Sequence, residues 1–252
     1  MKTIAWDIWL YCNYDCKFCS TKTKVLPAKI YGVDKISNVW TNIYNKYGKC
    51  KICITGGEPL LYPKIDLIMK NLLTIHNLHI TTNLSVNIDF LSDRNINRKD
   101  IFFNISFHPY YTDIKTFIGK LLQLKNYGYE FSVNYMNDKT QISEMLNYKK
   151  IFDKYGFNFV VTSYDNNNKP FKILNDFLYN DFMGKDNNIT DCVEKKSLCN
   201  AGINYACVDK DGNAFCCSVL RNKMGNIFEK TFSFSNKRIA CNKKCELYEN
   251  KY

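Results

Sequence analysis

The sequence predicts an α/β fold built on a parallel sheet, and two observations carry that prediction. Strand-like and helix-like segments alternate six times between Ile4 and Thr162. A repeated β-α order sets neighbouring strands parallel with helices outside the sheet. The last third of the chain then changes composition, gathering seven of the twelve cysteines between Cys192 and Cys245. Six β-α units over about 160 residues are too few for a closed eight-fold barrel.

The elements follow in order. Ile4–Leu10 is an apolar first strand, and Val33–Tyr47 carries Ile36, Val39, Trp40, Ile43 and Tyr44 at helical spacing. Lys51–Thr55 is β-prone and closed by Gly56-Gly57. Pro63–Ile75 is a second helix with Ile65, Leu67, Ile68, Leu72 and Leu73 on its buried side. Leu78–Thr82 and Ile101–Phe107 are the third and fourth strands, and Ile114–Tyr127 is a helix ending at Gly128. Phe131–Tyr135, the helix Ser143–Tyr155 and the strand Phe157–Thr162 complete the series. The Asn166–Pro170 stretch is a boundary. The expected division is residues 1–165, a linker 166–190, and a small cysteine-rich unit 191–252.

Composition narrows the function classes. A hydrophobic content of 46% in 252 residues supports a real core, and no run reaches the ~20 apolar residues of a membrane span. The N-terminus leads straight into a strand with no signal peptide, so the expectation is a reducing cytoplasm. There, twelve cysteines speak for metal or cluster ligation rather than disulfides. The formal charge of +11 comes from scattered lysines with no run of five, which reads as a solvated surface. No nucleic-acid partner is expected, and an anionic substrate is compatible with the charge without being required by it.

The chemistry starts at Tyr11–Ser20, YCNYDCKFCS, which sets Cys12, Cys16 and Cys19 in a Cys-x3-Cys-x2-Cys array after the first strand. A 4Fe–4S cluster is normally held by four cysteines. Three on one loop leave one iron open for an outside ligand. Structural zinc wants four closed ligands, usually as paired Cys-x2-Cys, and this spacing does not supply them. The array resembles that of the radical S-adenosylmethionine (SAM) enzymes, with Phe18 as the aromatic residue before the third cysteine. The resemblance implies a partial (β/α)6 barrel. It also implies that the open iron binds the methionyl amine and carboxylate of SAM, which is reductively cleaved to a 5′-deoxyadenosyl radical. A flavodoxin- or ferredoxin-type reductant is the implied partner.

The second motif is Gly56-Gly57-Glu58-Pro59, after strand two. Two glycines let the backbone approach a ligand closely, and Glu58 could meet an ammonium through a charge-assisted hydrogen bond. The stretch resembles the family's GGE motif, which binds the SAM amino group. Ser106 on strand four, Asn83 after strand three and Asn134 on strand five are further candidate SAM contacts, or else simply cap strand ends. His108 follows Ser106 towards the barrel mouth. His76 and His79 read as structural, and Cys50 and Cys53 as core thiols.

The C-terminal third resembles the SPASM/twitch extensions of the same family, in Cys199-x12-Gly212-x4-Cys217 and a closing Cys241-x3-Cys245. Asp211-Gly212 suits a hairpin turn between Ala206–Val208 and Asn213–Cys216. The resemblance implies one auxiliary 4Fe–4S cluster on Cys199, Cys217, Cys241 and Cys245. Cys192 remains an alternative to one of the last two, and Cys216 to Cys217. A zinc ribbon is the competing reading.

The expected activity is that of a radical SAM oxidoreductase or epimerase, abstracting a hydrogen atom from a small-molecule or carbohydrate-like substrate. If Cys216 faces the mouth, it is the candidate catalytic hydrogen donor for an epimerisation. The alternative is a peptide maturase forming an epimerised residue, a thioether or a carbon–carbon crosslink. With strand one beginning at about residue 3, no leader-binding domain is expected before it, which favours the smaller substrate. A non-catalytic iron–sulfur carrier or zinc module is the reading from another class, and a SAM amine loop argues against it.

Overall fold

The computed structural model describes residues 1–19, 30–138, 142–164 and 197–241. The proposed linker 166–190 and the candidate ligands Cys192 and Cys245 lie outside them. Strands β1 (Thr3–Trp9), β2 (Lys51–Gly56), β3 (Asn77–Thr82), β4 (Ile101–Phe107), β5 (Glu130–Asp138) and β6 (Phe159–Tyr164) pair in parallel, each with the next. Helices α1 (Val33–Tyr47), α2 (Ile65–Leu73), α3 (Ile114–Asn126) and α4 (Ile142–Lys154) follow β1, β2, β4 and β5. The crossover from β3 to β4 carries only two short 3-10 turns, Asp89–Ser92 and Arg98–Asp100.

The parallel order and the boundaries of α1 and β4 agree with the sequence reading. α2 is shorter than expected, because Lys64 stands before it in the left-handed region at φ 58°. Leu67 is 42% exposed, and Met69 takes the buried place. Two features close the ends of α1 and α3. The N–H of Gly48 (φ 75°) returns to the Tyr44 carbonyl, and Asp113 caps α3 by accepting from the Thr116 N–H at 2.9 Å.

Alternation along the strands gives the sheet two unlike faces. Ile4, Trp6, Ile8, Ile52, Ile54, Leu78, Ile80, Phe103 and Ile105 are buried in one core with the helices, and Trp6 meets Trp40 of α1 with ring centroids 5.2 Å apart. The opposite face holds Asp7, Cys53, Thr55, His79, Thr81, Asn104, Ser106 and Asn134, all partly exposed. A polar inner face of this kind suits a ligand chamber rather than a second packing layer.

The C-terminal hairpin does not stand apart from this sheet. β8 (Tyr205–Val208) pairs in parallel with β1, and β9 (Asn213–Phe215) and β10 (Lys223–Asn226) continue antiparallel. The result is one nine-stranded sheet in the order β10-β9-β8-β1-β2-β3-β4-β5-β6. β7 (Ser197–Cys199) and β11 (Ile239–Cys241) form a separate two-stranded ribbon. The hairpin is therefore present, with Gly212 turning at φ 84°. Among the described residues no helix is long and apolar enough to cross a membrane.

Candidate active site

The cysteine loop leaves the end of β1 and is zipped to the Gly-Gly-Glu-Pro loop at the end of β2. The Gly57 N–H donates to the Trp9 carbonyl at 3.0 Å, and the Glu58 N–H donates to the Tyr11 carbonyl at 2.8 Å. The Trp9 indole N–H returns to the Glu58 carbonyl at 2.8 Å. Contact this close demands the glycines. A Cβ on Gly56, whose φ is 123°, would stand 2.0 Å from the Trp9 oxygen, and one on Gly57 would stand 2.0 Å from the Tyr11 oxygen. Pro59 opens the buried turn Pro59–Leu61 that follows.

Glu58 is 1% exposed and already satisfied within the protein. One carboxylate oxygen accepts from the Leu60 N–H at 3.0 Å and from the Thr82 hydroxyl at 2.6 Å. The other accepts from the Asn83 N–H at 2.6 Å, which leaves it one lone-pair direction for a ligand. Burial pushes its pKa up to about 6, against the pull of these three bonds and of Lys120. Its first task is thus to tie the β2 loop to the end of β3. Thr82 and Lys120, both missed in the sequence, serve the same joint. Lys120 on α3 donates to the carbonyls of Leu84, Ser85 and Val86 at 2.8, 2.9 and 3.0 Å. Nothing in the local sequence pairs a helix lysine with a loop 34 to 36 residues earlier.

The raised pKa has a consequence for stability. The folded state holds the Glu58 proton more tightly than the unfolded chain, from about 4.5 to about 6. Stability contributed by the protonated form is complete below about 4.5 and is lost as pH rises to about 6, worth ~2 kcal/mol. Wild type should therefore lose melting temperature relative to Glu58→Gln as pH rises across that window. A constant difference between the two proteins from pH 4.5 to 6 would refute the assignment.

Cys12, Cys16 and Cys19 are all partly exposed. The loop is closed by a bond from the Cys19 N–H to the Cys16 carbonyl at 3.0 Å, and Tyr14 N–H donates to the Cys12 sulfur at 3.4 Å. Burial, then the charges of Cys12 and Cys19, push the Cys16 thiol up to about 12. Burial also raises Cys12. Three thiolates crowded this way repel one another until a cation stands among them. Among the described residues, no three His, Cys, Asp or Glu side chains converge as ligands of a single metal ion. Three thiols on one loop fit a cluster, in which each thiolate takes a different iron.

Aromatic side chains surround the loop. Tyr14 stacks on Tyr111 at 4.3 Å, and the Tyr111 hydroxyl accepts from the Asp15 N–H at 2.9 Å. Phe18 stacks on His108 with centroids 5.6 Å apart. Burial lowers the His108 pKa to about 4, which leaves it neutral. Beside them opens a cavity of 370 Å³, lined among others by Cys16, Phe18, His108, Tyr111, Tyr135 and Met136. This lies in the range of small-molecule sites. Tyr110 at its rim is 79% exposed.

The other sequence candidates divide. Asn83 lies against the cysteine loop, with its amide nitrogen 3.7 Å from the Cys12 sulfur and 3.2 Å from the Asn13 side-chain oxygen. Ser106 and Asn134 are register partners on the polar face of β4 and β5, and Asn134 accepts from the Thr162 hydroxyl at 3.0 Å. Neither is among the residues lining the cavity. Asp7, unremarked in the sequence, shares that face on β1. Burial raises its pKa, with Asp209 adding to the effect and Arg221 opposing it.

In the C-terminal region, Cys216 and Cys217 pack together with Ala201, and Cys199 lies against them. The Ala201 N–H donates to the Cys199 sulfur at 3.3 Å and the Leu220 N–H to the Cys217 sulfur at 3.2 Å. Cys241 ends β11, which pairs with the strand carrying Cys199. Cys216 is 2% exposed in this cluster and does not line the cavity beside the cysteine loop.

Comparisons with known proteins agree on the fold. The family model described as the Radical SAM superfamily matches residues 8–166. An S-adenosylmethionine-dependent nucleotide dehydratase from Flammeovirga pacifica is 26% identical over 169 residues, 58% of this chain and 57% of that protein. SuiB of Streptococcus suis, solved with S-adenosylmethionine, superposes with a TM-score of 0.65 at 16% identity, over 90% of this chain and 63% of SuiB. The protein anSMEcpe with bound AdoMet gives 0.61 at 14% identity, over 91% of this chain and 78% of its own. The chain thus spans less than two thirds of the dehydratase and of SuiB.

Proposed function

Since the chain belongs to the radical SAM superfamily, we propose that it holds a 4Fe–4S cluster on Cys12, Cys16 and Cys19 and cleaves SAM there. When bound, that cluster would supply the electron that splits SAM into methionine and a 5′-deoxyadenosyl radical able to take a hydrogen atom from a substrate. The observation that carries the reading is the zip between the two loops. Gly56, Gly57 and Glu58 are held against the backbone of the cysteine loop by the Gly57 and Glu58 N–H bonds. The two glycines let the loops meet at this distance, which holds Glu58 beside the cysteines so that its spare lone pair can serve the SAM ammonium. Phe18, His108, Tyr135 and Met136 give the adjoining cavity aromatic and apolar walls that exclude water from a reactive ligand. Ser106, Asn134 and Asp7 on the polar face then orient the remainder of SAM and the substrate.

The substrate reading is a small molecule or carbohydrate-like compound, oxidised or epimerised, which accords with a 370 Å³ cavity. A peptide is the second reading. Tyr110 and Tyr111 expose aromatic surface at the cavity rim, and SuiB, similar in fold, has been solved with its precursor peptide SuiA. The place of Cys216 in a buried cluster weighs towards oxidation, because a hydrogen-donating thiol has to be reached by the substrate. An auxiliary cluster on Cys199 and Cys217, completed by Cys241 and Cys245, would accept the electron that oxidation releases.

Two measurements test this. Reduced, anaerobically reconstituted protein should release 5′-deoxyadenosine and methionine from SAM, and a protein that binds a full cluster yet releases neither is not such an enzyme. Iron analysis should find about eight irons per chain, falling to about four when Cys199 and Cys217 are both replaced by alanine. Only about four irons in the intact protein, or zinc in the C-terminal site, would remove the auxiliary cluster.

A further inference from the structure

Two side chains from outside the cysteine loop set nitrogen atoms against its sulfurs. His108 Nδ1 lies 3.6 Å from Cys16 Sγ, and Asn83 Nδ2 lies 3.7 Å from Cys12 Sγ. We infer that His108 and Asn83 donate N–H···S hydrogen bonds to two of the three cluster thiolates and thereby raise the reduction potential of the cluster. The inference rests on the cluster assignment to Cys12, Cys16 and Cys19.

The direction of each bond follows from its partners. An iron-bound thiolate offers only lone pairs, so the Cys16 contact is favourable only with the proton on Nδ1 of His108. The Asn83 amide is oriented by its other end, whose oxygen accepts from the Ser85 N–H at 2.9 Å. That leaves the NH2 group facing Cys12 and the acceptor oxygen of Asn13. Both donors are also fixed in place. His108 is held between the ring of Phe18 and the edge of Tyr14, with centroids 5.6 Å away in each case. Asn83 is tied through its backbone N–H to Glu58. They come from the ends of β4 and β3, so the sheet, not the loop, sets their positions.

The consequence is electrostatic. Gaining one electron adds negative charge to the cluster and its sulfurs, and N–H dipoles aimed at those sulfurs stabilise the reduced form. Removing a donor therefore makes the midpoint potential more negative, even where iron content and SAM binding are kept. A purely structural role would not move the potential in that way.

The test is a dithionite redox titration of the reconstituted full chain without SAM, followed by the EPR signal of the reduced cluster. The signal that disappears when Cys12, Cys16 and Cys19 are replaced by alanine identifies the cluster being read. His108→Phe keeps a ring on Phe18 and loses the N–H, so its midpoint should be more negative than wild type. His108→Asn, whose amide nitrogen falls near the place of Nδ1, should move it back. An unchanged midpoint in His108→Phe with full iron overturns the inference while leaving the cluster assignment intact. Wild type lacking the signal altogether overturns both. If His108→Phe loses its iron, wild type labelled with 15N-histidine decides the matter. His76 is bonded to Cys50 and Trp40 and His79 stacks on Phe102. A nitrogen coupling to the reduced cluster in pulsed EPR then supports His108 as donor, and its absence overturns it.

Discussion

Replacing Cys12, Cys16 and Cys19 together by alanine should abolish the release of 5′-deoxyadenosine from SAM. The loss should be total within detection, because the proposed cluster is the electron source for the cleavage and these three thiols are its ligands. The same change should remove about four irons per chain and no more, if the C-terminal cysteines hold a second cluster. The fold should survive, since the three thiols are partly exposed and lie outside the buried core. Far-UV circular dichroism alongside the product assay separates lost chemistry from lost structure. Residual 5′-deoxyadenosine at more than a trace in the folded triple variant would place the reductive centre elsewhere in the chain.

Gly57→Ala should be nearly as severe through a different cause. Its Cβ would stand 2.0 Å from the Tyr11 oxygen and 2.6 Å from the Leu10 oxygen, both backbone atoms that cannot swing aside. The two loops must part, which breaks the Gly57 and Glu58 N–H bonds and shifts the Glu58 carboxylate. SAM affinity should fall by about two orders of magnitude, ~2.8 kcal/mol. Iron content measured alongside separates a lost SAM site from a lost cluster. Equilibrium dialysis with labelled SAM measures the first quantity, and an affinity within threefold of wild type would show that the zip is irrelevant to the ligand.

Much of this was legible in the sequence, for reasons that can be located. β1 through β6 and their helices announce themselves because one face of each is apolar at a regular period, as with Ile36, Val39, Trp40 and Ile43 on α1. The Gly-Gly-Glu-Pro loop was legible because backbone approach this close admits few residues other than glycine at Gly56 and Gly57. What escaped depends on contacts between distant segments. The bonds of Thr82 and Lys120 and the stacking of Tyr14 on Tyr111 are made across strands and loops, and no periodicity records them. Glu58 was read as reaching outward to a ligand, while three of its acceptor positions turn out to be used inside the protein. The cysteine-rich segment read as an appended unit because its composition changes. Yet β8, carrying Ala206 and Val208 in the main core, belongs to the same sheet as β1.

That pairing bears on the order of events during synthesis. β1 is covered on one side by β2, but its other edge is completed by β8, and Lys2 already reaches forward to the Ile203 carbonyl, 201 residues later. Contacts this remote in sequence carry a large loop-closure cost and form late. Until they form, the strand that leads into the cysteine loop keeps an open, aggregation-prone edge. The three loop thiols are therefore synthesised long before the strand beneath them is locked. For the proposed cluster, insertion and closure of the sheet would then be competing clocks, and a slow final segment would leave time for the first to finish.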